Sequence, residues 1–153
     1  MIPLLLAIHT VGAVIWVGGM FFAHMALRPA LAEMAPPERL ALWRRVFPRF
    51  FAWVWVSVIA LLVTGYVVIL WGYGGFAGLA LHINVMQATG LLMIALYVYL
   101  YAAPYQAFRR AMAAGDLARA AGEQAKIRQI ITINLPLGLF TAAIGATGGF
   151  WTY

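Results

Sequence analysis

The chain has no cysteine, only four acidic residues, and a charged fraction of 9% across 153 residues. Each shortage removes a class of protein. Without cysteine there is no disulfide framework, zinc–thiolate site, iron–sulfur cluster or covalently attached c-type haem. Soluble domains carry roughly 25% charged residues. A chain with 9% charged and 65% hydrophobic residues, and a mean hydropathy of +0.92, is not built to face water.

What the sequence has instead is four apolar runs, at about 2–27, 50–71, 79–103 and 129–151. Each is near the ~20 residues that a bilayer crossing requires. The expected fold is all-α, a single four-span transmembrane bundle over residues 1–153. The first run is not a signal peptide, because it lacks a basic start and far exceeds a signal core of ~7–15 residues. All ten basic residues and all four acids fall in the connections 28–49 and 104–128. The connection "WGYGGFAGLA", Trp71 to Ala80, carries no charge. Basic loops stay in the cytoplasm, so this reading puts both termini on the periplasmic side of a bacterial inner membrane. The net charge of +6 is then a topology signal and calls for no nucleic-acid partner. Membrane lipid is the expected surround, and glycine-lined faces leave room for a homodimer.

In the first connection, Leu40, Trp43, Phe47 and Phe50 recur at helical spacing after Pro37, so a short interfacial helix competes there with a plain solvated connector. The third connection is alanine-rich and reads as helical extensions of spans three and four, broken near Gly115-Asp116. Gly145 and Gly149, four apart, suit close helix contact in span four.

No Asp, Glu, Lys or Arg lies in any span, which leaves three histidines as the readily titratable groups there. An intramembrane ionisable residue is a functional-site hypothesis with a partner expected. His9 lies about 12 Å from the outer end of its span and His82 about 5 or 6 Å, at ~1.5 Å per residue. His24 lies roughly 22 Å beyond His9, too far to share one metal with it. On span one, His9, Gly12, Ala13, Trp16, Gly19 and Met20 share a stripe; on span three, His82, Met86, Gly90, Met93 and Tyr97 do. Glycine on both stripes leaves room for a flat guest. The expected cofactor is therefore haem b, with His9 and His82 as axial ligands and Gly12, Trp16, Met86 and Gly90 around it. A quinone or a periplasmic protein would be the electron partner of such a cytochrome-like protein. Copper held by His9, His82 and Met86 is the alternative. In a third reading the histidines only tie helices together.

The stretches "IHTVGAVIWVGGMFFAHMALRPA", "LHINVMQATGLLM" and "KIRQIITINLPLGLFTAAIGA" resemble the copper-resistance D (CopD) membrane superfamily, which also includes the HemJ-type protoporphyrinogen oxidases. The His-x6-Trp-x-Gly-Gly pattern from His9 to Gly19, and the histidine opening span three, carry the likeness. The resemblance implies copper movement across the inner membrane in one branch. In the other it implies haem b and porphyrinogen oxidation, with a His-x-Lys pair opening span three. Here Asn84 stands in the lysine's place.

Overall fold

The computed structural model describes residues 1–152. Helix α1 runs over Ile2–Ala30, α2 over Pro36–Gly72, α3 over Leu81–Ala102, α4 over Pro104–Ala113 and α5 over Leu117–Thr147. There is no strand among the described residues. Four helical stretches, with α3 and α4 counted together, are long and apolar enough to cross a membrane.

The breaks follow from local chemistry. Pro36 and Pro37 open α2, where a missing N–H costs nothing. The connection before α2 is thereby shortened to residues 31–35, and the basic stretch from Pro36 onward is helical. Its spaced apolar residues form no separate surface helix. Leu40, Trp43 and Phe47 are buried as the first turns of α2 itself. Between α3 and α4, Ala103 leaves helical geometry at φ −110°, ψ −81°, because Pro104 follows and disfavours α geometry in the residue before it. Gly115, at φ +73°, makes the turn into α5. Asp116 caps that helix, its carboxylate accepting from the Arg119 N–H at 2.9 Å.

Helix α1 packs along α2 and α3 along α5, and α5 also meets α1 and α2. Aromatic side chains join the two halves. The Tyr97 hydroxyl donates to the Phe51 carbonyl at 2.9 Å. Trp16 meets Tyr97 edge-on at 6.0 Å, and Trp55 meets Tyr97 at 5.2 Å. Together with Trp43, Phe47, Tyr105 and Phe108, these rings fill the basic half of the bundle. The outside is apolar: Leu4, Val14, Val56 and Val63 are among many exposed large hydrophobics. In water such a surface would be a liability; in hydrocarbon it is the required one. The fold is that of a multi-pass, all-helical membrane protein.

Candidate functional site

The uncharged end of the bundle holds His9 and His82, and the two engage different neighbours. His9 lies over α2. A Cβ at Gly65 would come within 3.2 Å of its Cε1 atom, so the glycine makes the seat for the ring. Its Nδ1 is 2.9 Å from Oγ1 of buried Thr64. That hydroxyl donates its one proton to the Ala60 carbonyl at 2.6 Å. Thr64 therefore accepts from His9, Nδ1 carries the hydrogen, and Nε2 keeps its lone pair. This assignment comes from the hydrogen-bond network. It is the tautomer that a metal-ligating or proton-accepting histidine needs.

His82 and Met86 face α5 instead. A Cβ on Gly148 would run into the His82 ring, with Cδ2 at 2.6 Å. One on Gly145 would lie 3.0 Å from Cε and 3.5 Å from Sδ of Met86. Two turns further along α3, Met93 fits the notch at Gly138, its Cε 3.0 Å from the missing Cβ position. The register is tied by polar pairs. Oγ1 atoms of Thr89 and Thr141 lie 2.7 Å apart, and Asn134 Nδ2 donates to the Met93 carbonyl at 3.2 Å. An imidazole and two thioethers thus lie along one face of α3, the thioethers in glycine notches of α5 and the imidazole at Gly148, which opens the 3-10 turn Gly148–Phe150 after it.

The other expected residues fall as follows. Gly12 and Trp16 are buried on the α1 stripe, with Gly12 against Leu61 and the Ser57 carbonyl of α2. Gly90 meets no atom that a Cβ would touch, and neither does Gly149; Gly148 is the closely packed member of that C-terminal pair. Asn84 turns back on its own helix start, Nδ2 donating to the Leu79 carbonyl at 3.0 Å. The glycine notches opposite the α3 stripe are filled from within the chain. His82 occupies Gly148, Met86 occupies Gly145, and Val17 with Met93 occupies Gly138. The gap that the α3 stripe suggests beside His82 and Met86 is thus taken up by α3's own side chains. Among the described residues no three His, Cys, Asp or Glu side chains converge.

His24 sits at the basic end, inside a π-helical segment, Phe22–Leu27. It lines a small cavity of about 20 Å³ with Trp43, Phe47, Gln124 and Arg128, enough for one water. Nothing in apolar periodicity announces a π turn. Thr64 and Gly65 were not singled out in the sequence either; a hydroxyl and a glycine side by side within an apolar run was the available signal.

No curated protein and no solved structure matches the chain. A family model described as copper resistance protein D matches residues 44–148. The matched stretch takes in most of α2 and all of α3, α4 and α5, so the His82–Met86–Met93 face and its glycine notches lie within it, and His9 lies before it. Fold, apolar exterior and family match agree, and the chain belongs to the copper resistance protein D family of membrane proteins.

Proposed function

We propose that this protein binds Cu(I) at the uncharged end of the bundle and hands it toward the membrane interior along α3. His82 and Met86 are the entry ligands, and Met93 is the next sulfur. Family membership brings copper into the question. The observation that carries the residue assignment is the series of one imidazole and two thioethers along a single face of α3. Thioether and imidazole are the soft and borderline ligands that Cu(I) prefers. Met86 and Met93 are seven residues apart, about 10 Å along the axis, so a single ion would move between them and not bridge them. His9 is the second imidazole of the entry site.

The test is a Cu(I) titration of detergent-purified protein against a chromophoric chelator. About one copper per chain is expected, bound tenfold or more weakly after His82→Ala or Met86→Leu. Undiminished binding by the double variant would overturn the assignment.

The visible spectrum of the same sample addresses the second reading, haem b between His9 and His82. Its favourable observation is the contact of His9 Nδ1 with the Thr64 hydroxyl, which suits an Nδ1–H tautomer. A Soret band lost in both His9→Ala and His82→Ala would establish haem, and would require the side chains in the glycine notches to move aside. A quinone or periplasmic electron partner belongs to that reading alone. HemJ-like porphyrinogen oxidation is less favoured again, because Asn84 is spent on its own helix start.

A further inference from the structure

A second site lies at the opposite, basic end. There Ala103 and Pro104 interrupt the helix between α3 and α4. One side of α4 buries Tyr105, Phe108 and Ala111 against the rest of the bundle. The other side leaves a cleft of about 260 Å³ between the α3–α4 corner and α5. Its apolar wall is Tyr99, Ala103, Pro104 and Ala107; its charged groups are Arg110, Glu123 and Lys126.

The charges do not cancel. Lys126 Nζ and Glu123 Oε1 are 2.8 Å apart, and the Glu123 side chain is only 13% exposed, so this carboxylate is committed to that lysine. Arg110 has no carboxylate partner among the described residues. The cleft therefore holds one net positive charge beside an apolar wall that ends in an exposed tyrosine ring. Exposed tyrosines favour the level where hydrocarbon meets headgroups, and basic pockets between membrane helices capture lipid headgroups there. A free anion would use the arginine but gain nothing from the alanine and tyrosine wall. A zwitterionic lipid would bring no net charge to match the one in the cleft.

We infer that this cleft binds the phosphate of one anionic glycerophospholipid, held by Arg110 and Lys126, with the glycerol and first acyl carbons along Tyr99 and Ala107. The inference is independent of copper.

The experiment uses the full chain, delipidated in detergent. It is titrated with phosphatidylglycerol or with phosphatidylcholine of identical acyl chains, and the bound states are counted by native mass spectrometry. One phosphatidylglycerol per chain is expected at five- to tenfold higher affinity than phosphatidylcholine. Arg110→Ala should erase that preference. Arg109→Ala should keep it, since Arg109 lies outside the cleft over the Tyr105 ring. Glu123→Gln, which raises the local charge, should strengthen phosphatidylglycerol binding severalfold. This gain also guards against reading a folding defect as lost binding. Equal affinity for the two lipids in the unaltered protein would overturn the proposal. So would equal losses in the two arginine variants, or an unchanged or weaker interaction in Glu123→Gln. Displacement of the lipid by millimolar inorganic phosphate would mark a free-anion site, and would refute the lipid assignment.

Discussion

Thr64→Val separates a structural His9 from a ligating one. The substitution keeps the branched shape and removes the hydroxyl that accepts from His9 Nδ1 at 2.9 Å. Ala60, to which that hydroxyl donates, lies within α2 and retains its backbone helix bond. The stability loss should therefore be that of one side-chain hydrogen bond in a membrane, about 0.6 kcal/mol and at most ~1.7 kcal/mol. The effect on copper is expected to be larger. Removing the group that orients a ligating histidine typically costs 10–100-fold in metal affinity, or about 1.4–2.8 kcal/mol at 1.4 kcal/mol per decade. With the hydroxyl gone, His9 Nδ1 loses its side-chain partner, and Nε2 is less strictly reserved for the metal. Thermal unfolding in detergent measures the first quantity and chelator competition the second; Thr64→Ser should restore both. Copper affinity equal to that of the unaltered protein, alongside the small stability loss, would refute His9 as a ligand.

The glycine notches make a graded set. Gly148→Ala should weaken Cu(I) binding by tenfold or more, because the new Cβ would overlap the His82 ring, with Cδ2 at 2.6 Å. Gly145→Ala should do little, since the tight contact, at 3.0 Å, is with the mobile methyl of Met86, and its sulfur is met only at an ordinary 3.5 Å. Gly138→Ala should cost about 1–3 kcal/mol in thermal unfolding, because Val17 Cγ2 stands 2.9 Å away on a stiff β-branched side chain. Ser57→Ala should leave stability unchanged or raise it, as the buried Ser57 hydroxyl has no partner among the described residues. Asp116→Ala should lower stability by ~1 kcal/mol through loss of the α5 cap.

The spans were legible because lipid imposes a strong signal: some twenty apolar residues with the charges swept to one side. The break at Gly115 was legible for a similar reason, because glycine followed by a capping aspartate is a stop and a start in two letters. Helix pairing was not legible. The α1 stripe through Gly12 and Trp16 is buried as the spacing implies, but nothing in the spacing says that His9 would find Thr64 on α2. Membrane helices associate by small-residue contacts and scattered hydrogen bonds, which a single sequence distributes over several equally apolar partners. Likewise Leu40, Trp43 and Phe47 give the same helical period whether they cover a membrane surface or begin α2.

A glycine in a membrane helix is ambiguous in the same way, because a missing side chain accommodates a cofactor or a neighbour equally well. The α3 stripe, read alone, suggests a gap beside His82 and Met86. The companion pattern is on α5. Gly138 and Gly145 are seven apart, as are Met93 and Met86, and in an antiparallel pair a step of seven along one helix is met by the same step back along the other. The methionines look scattered when a Met-x3-Met repeat is sought. They are in register once α5 is laid against α3, because seven residues are close to two full turns and return each side chain to the same face. His82 then falls at Gly148, one further turn outward. The glycines thus select which α3 side chains can sit at the helix–helix seam, and those are sulfur and imidazole. Filling the Gly145 notch with a larger side chain would push Met86, whose sulfur lies 3.5 Å from a Cβ there, off that seam. Gly145→Leu should accordingly weaken copper binding where Gly145→Ala does not, and equal copper affinity in the two variants would detach the seam from the metal.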